Sequence, residues 1–129
     1  MKGAITPGTY NVFTPLNAVT ATTTSEEIVI AGAKKVSFLF KRANHSAGSS
    51  TFTVEVSLDG TTYVAYNKLI SNATNTNAQT LTRVASVALA SDTSALYSMD
   101  LQNDAIYSIK ITATEVTDGT HTAQCLVEY

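Results

Sequence analysis

TFTVEVSLDG, residues 51–60, decides the fold. Phe52, Val54, Val56 and Leu58 alternate with Thr51, Thr53, Glu55 and Ser57. Successive side chains of an extended chain leave on opposite faces, so this segment has one apolar and one polar face, the signature of a strand half covered by a core. Asp59-Gly60 follows, a dipeptide that accepts the positive φ values of a type I′ turn, and residues 61–67 are read as the returning strand of a hairpin.

The same period recurs outward from this point. Tyr107, Ile109, Ile111 and Ala113 alternate with Ser108, Lys110, Thr112 and Thr114. After a turn at Asp118-Gly119, Ala123, Cys125 and Val127 alternate with Thr122, Gln124 and Glu128, which reads as a second hairpin. Residues 26–30 give a short strand. Residues 35–42 give another, with Val36, Phe38 and Phe40 on one face, and 95–101 a further one with Tyr97 and Met99 inward. Residues 80–90 fit period two through Leu81, Ala85, Val87 and Leu89. They also fit a helix through Leu81, Val84, Ala85, Ala88 and Leu89; flanking Thr and Ser favour the strand. The small polar stretch 45–50 and the Asn-rich stretch 71–79 read as loops. Eight or nine short strands joined by polar turns predict an all-β, antiparallel sandwich or jelly roll over residues 26–129. Residues 1–25 carry both prolines, Pro7 and Pro15, and are read as either an extended N-terminal arm or an edge strand.

The chain has 129 residues, one domain's worth. Charged residues make up 14%, while 21 Thr and 12 Ser supply the polar surface. A net charge of −2 gives no electrostatic footprint for nucleic acid, and no apolar run has the ~18 residues that a membrane-spanning helix requires. The first twenty residues lack the apolar core of a signal peptide, so synthesis in a cytoplasm is expected. A lone cysteine, Cys125, offers neither an intrachain disulfide nor a metal framework, and its inward phase marks it as a small core residue.

Catalytic constellations are hard to assemble. His45 lies in a small-residue loop and His121 just beyond a turn glycine, and both are read as solvated. No nucleophile elbow is present, and Cys125 has no histidine beside it. Asp100, Asn103 and Asp104 cluster, as does Asp92 with its serines, but turn chemistry explains both more simply than calcium does. Glu55, Asp59, Asp100 and Glu115 are the carboxylates from which a glycosidase pair would be drawn, at separations that sequence spacing leaves open. Tyr63, Tyr66, Tyr97 and Tyr107 are expected to pack on the sheets. Lys34, Lys35, Lys41 and Arg42 are read as protection for an exposed strand edge. No enzyme, cofactor or metal is expected.

The sequences FLFKRANHSAGSSTFTVEVSLDGTTYVAY (38–66), RVASVALASDTSALYSMDL (83–101) and IKITATEVTDGTHTAQCLVEY (109–129) together resemble small β-sandwich proteins of tailed-phage virions, the capsid decoration or cement proteins and the tail or fibre modules. The resemblance implies a non-enzymatic structural protein of the virion that forms homo-oligomers, often trimers, and clamps the major capsid protein or another virion protein. Candidate interface residues are Pro7, Tyr10, Phe13 and Pro15 in the N-terminal segment, with Leu39 and Leu126, which are out of phase with their inward neighbours. A carbohydrate- or receptor-binding module of a phage fibre or bacterial surface protein is the alternative.

Overall fold

A computed structural model describes residues 9–71 and 82–129. Pro7, most of the Asn-rich loop, Thr80 and Leu81 lie outside the described residues. The chain forms β1 (Tyr10–Val19), β2 (Thr23–Thr24), β3 (Ile28–Val29), β4 (Lys35–Ala43), β5 (Gly48–Ser57) and β6 (Val64–Ala65). It continues with β7 (Leu69–Ser71), β8 (Arg83–Val84), β9 (Val87–Leu89), β10 (Thr93–Ser98), β11 (Ser108–Thr117) and β12 (Thr120–Glu128). No helix occurs among the described residues. All pairings are antiparallel.

The strands stack as two sheets. The front sheet runs β1-β12-β4-β10-β7-β8. The back sheet is built on the long pair β11-β5, with β2 and β3 on the outer edge of β11 and β6 and β9 on that of β5. The sandwich expected from alternation is therefore present, with twelve strands among the described residues. The extra strands are two- and three-residue pieces that sequence period cannot resolve. Residues 83–89 split into β8 in the front sheet and β9 in the back sheet.

The inner faces follow the alternation. Val36, Phe38 and Phe40 of β4, Phe52 and Val54 of β5, Ile109, Ile111 and Ala113 of β11, and Ala123, Cys125 and Val127 of β12 are all buried. Phe40 of the front sheet stacks on Phe52 of the back sheet with centroids 4.8 Å apart, and on Phe38 at 5.5 Å. Leu58, in phase with Phe52, is nonetheless 76% exposed, because β5 ends at Ser57.

Two turns differ from expectation. Gly60 has φ +79 but Asp59 does not share the left-handed region, so no type I′ turn forms. Instead the Asp59 carboxylate accepts the amides of Thr61 (2.8 Å) and Thr62 (2.9 Å), building a broad loop whose return strand, β6, is only two residues long. The second expected hairpin is an arch: β11 pairs with β5 in the back sheet, while β12 pairs with β4 and β1 in the front sheet. Residues 44–47 make a parallel crossing from β4 to β5. Alternation gives a strand's faces but not its neighbour, and here the two crossings bind each other, Ser46 N donating to Asp118 Oδ1 at 2.8 Å.

Residues 10–19 take the edge-strand form, pairing with β12 from Tyr10↔Glu128 to Val19↔His121 and burying Leu16. The register shifts between Phe13 and Leu16, around Pro15, and again before Val19, where Ala18 has φ 52. A bulged edge is where a residue without an N–H fits a sheet. β4, in contrast, is an interior strand, so Lys35 and Lys41 mark its outer face rather than an edge.

Candidate functional site

The upper end of the sandwich, where both arches cross, gathers the polar residues. Arg42 has the same parity as Val36, Phe38 and Phe40, so it points inward, and it is 1% exposed. Its guanidinium donates to the carbonyls of Gly48 (2.9 Å), Leu89 (3.3 Å), Ala47 (2.6 Å) and Asp118 (2.9 Å), tying both arches to β9. Expecting Arg42 at an exposed edge was wrong, because four inward-facing carbonyls replace water around the charge. His45 is held by the Asp92 carboxylate through its ring and its amide, so the 45–50 stretch is pinned rather than a loose connection. The Ser46 hydroxyl and amide hold the Asp118 carboxyl below its usual range, and the His45 ring does the same for Asp92.

His121 is also inward and fully buried, which corrects its reading as solvated: it shares the parity of Ala123, Cys125 and Val127. Its Nδ1 hydrogen-bonds the Ser50 hydroxyl, and its Nε2 lies 3.9 Å from a Glu115 carboxylate oxygen. Serine, histidine and glutamate in sequence have the order of a hydrolase triad. Both Ser50 and His121 have 0% exposure, however, so the hydroxyl faces the interior instead of a cleft. Ser50 and His121 form a buried hydrogen-bonded pair above the aromatic core, with the half-buried Glu115 carboxylate as a nearby charge and His121 Nε2 without a hydrogen-bond partner among the described residues. Burial pushes the His121 pKa below 6.5; nearby Arg42 acts in the same direction, while Glu115 opposes. The folded state thus binds fewer protons than the unfolded chain between pH 6.5 and the depressed folded value, and stability falls as pH drops through that window. Urea midpoints measured from pH 8 to 5 will decline for the wild type and decline less for His121→Gln. Equal slopes would contradict this role.

Cys125 sits in the core, where burial pushes its thiol up to about 12. It will not react with a disulfide reagent at pH 8 until the protein unfolds. Rapid stoichiometric modification of the native protein would contradict the fold at β12.

The oxygen-rich candidates are engaged by cations of the protein itself. Asp100 pairs with Arg83 at 3.1 Å and accepts the Asn103 amide at 3.2 Å, and Asp104 pairs with Lys68 at 3.0 Å. Among the described residues no three His, Cys, Asp or Glu converge on one point.

The front sheet's outer face is a different kind of surface. Val12 opposes Leu126, and Leu39 opposes both Gln124 and Leu96. Leu126 and Leu39 are diagonal neighbours, so an apolar stripe crosses β1, β12, β4 and β10. Val12 is 62% exposed, Leu96 and Leu126 are 43%, and Tyr10 beside them is 42%. Ser37, Ser94 and Ser98 surround the leucines, with Lys35, Lys41 and Glu128 at the margins. Among the described residues β1 pairs only with β12, leaving its other edge open, and YNVFTPLNAV has no charge to block an incoming strand. Of the sequence candidates, Tyr10, Leu39 and Leu126 come together on this face. Pro15 sits at the bulge, and Phe13 lies on the inner face against the core. Val12 and Leu96 were missed, although both share the outward parity of their strands.

No protein-family model matches the chain. No curated protein matches its sequence. A solved structure, that of the SPBc2 prophage-derived protein YomS, superposes with a TM-score of 0.69 over 99% of this chain and 100% of its own, at 16% sequence identity. The two chains share a fold.

Proposed function

We propose that this chain is a non-enzymatic structural protein of a phage particle, a decoration or cement subunit that works by adhesion through the front sheet's outer face. The observation that carries the reading is the apolar stripe Val12–Leu126–Leu39–Leu96 beside a β1 edge that is uncharged and unpaired among the described residues. Such a stripe next to an unpaired edge suits strand addition and apolar contact with a neighbouring subunit. The whole-length likeness to a prophage-derived protein supports a phage setting. The burial of Ser50, His121 and Cys125 supports a role without turnover.

Cosedimentation with purified phage heads and, separately, tails tests it. Saturable pelleting with heads that is lost in the Leu126→Glu variant is expected. A chain that stays in the supernatant with heads overturns the cement role.

A further inference from the structure

The lower end of the sandwich, opposite the arches and away from the front face, holds two adjoining depressions of about 700 and 740 Å³. They share a ridge formed by Leu58 and residues 103–106. We infer that the larger one, between residues 30–33 and 101–107, is a binding site for a neutral saccharide.

The aromatic platform is Tyr107. Its ring packs so closely over Gly60 that a Cβ there would come within 3.0 Å of it, while the residue remains 41% exposed and lines the depression. A ring held along its Cδ2–Cε2 edge and still well exposed offers surface for the apolar face of a sugar to stack on. The facing wall, Ala31-Gly32-Ala33, is low: a Cβ added at Gly32 would meet nothing within 4 Å. Polar groups for hydroxyls come from exposed Gln102 and Asn103 and from Asp104.

Charge selects the ligand class. Asp104 is neutralised by Lys68, and Asp100 by Arg83. Among the described residues no cation lines this depression to receive a phosphate or carboxylate. A wide, open shape does not suit a lipid tail, and the nearby β6 edge, at two residues, is too short to recruit a peptide strand. What remains is an uncharged ligand with an apolar ring face and many hydroxyls.

The test is a titration followed by amide NMR, using the neutral trisaccharides maltotriose, cellotriose and chitotriose on the full chain. Saturable shifts confined to residues 30–33, 58 and 101–107 with at least one sugar are expected. Tyr107→Ala should weaken that binding about tenfold, a loss typical of one lost stacking contact, and Tyr107→Phe, which keeps the ring, should preserve it. Exposed Gln102→Ala gives a second, weaker-binding variant that does not depend on the fold tolerating Tyr107→Ala. No shifts with any neutral sugar, shifts elsewhere, or equal affinity in Tyr107→Ala and Gln102→Ala would each overturn the assignment. So would binding restricted to acidic sugars or to an extended peptide.

Discussion

Arg42→Ala will lower the unfolding free energy by about 3–5 kcal/mol, the range seen when one side of a buried charged network is removed. Four backbone carbonyls lose their donor together, and they belong to both crossings between the sheets and to β9. Unsatisfied buried carbonyls each carry a desolvation cost, and the space vacated by the side chain adds to it. Arg42→Lys will recover only part of the loss, because an ammonium is a point donor without the planar fork that reaches four acceptors. Urea denaturation measures both. An Arg42→Ala protein within ~1 kcal/mol of wild type would mean that water reaches these carbonyls and that the arches do not depend on the guanidinium.

Phe40→Ala will cost a similar amount, about 3–5 kcal/mol. The ring is fully buried, stacks on Phe38 and Phe52, and lies 6.2 Å from the Tyr97 ring. It is the contact through which the front sheet meets the back sheet at mid-height. Partners anchored on three different strands cannot close over the cavity without shifting backbone. Phe40→Leu, which keeps most of the volume, will be less damaging. Thermal and urea unfolding of the pair measure the difference. Equal stability for Phe40→Ala and Phe40→Leu would show that the inter-sheet space is loosely filled.

Much of the molecule was legible because a strand with one covered face must alternate. That rule places Phe52, Val54, Ile109, Ile111, Cys125 and Val127 inward without reference to any partner. It also places Arg42 and His121 inward, since they share parity with Phe40 and Ala123. Their charge and polarity argued for solvent, and only the convergence of distant carbonyls and of Ser50 makes their burial tolerable. Strand pairing was not legible. An arch and a hairpin have the same alternation, and what separates them at Asp118-Gly119 is a hydrogen bond to Ser46, 72 residues away in sequence. The interior position of β4 was hidden for the same reason.

The candidate surface was half readable. Leu39 and Leu126 stood out as apolar residues on the polar phase of their strands, while Pro15 left β1 open between an edge strand and an extended arm. Val12 and Leu96 obey the same logic, but only the register across four strands joins them into one stripe. Of the lower depression, the sequence showed the Asn103–Asp104 cluster but not its neighbour Tyr107 as an exposed residue. Tyr107 continues the inward phase of Ile109 and Ile111, and it is exposed because it lies just before the first residue of β11.

Sedimentation velocity of the wild-type chain and of a Leu96→Glu/Leu126→Glu double variant tests most directly whether the front face is the working surface. The wild type is expected to sediment as an assembly larger than one 13.6 kDa chain, and the double variant, with an unchanged circular dichroism spectrum, as a monomer. A wild type that remains monomeric at every concentration, or an assembly indifferent to both glutamates, would contradict it.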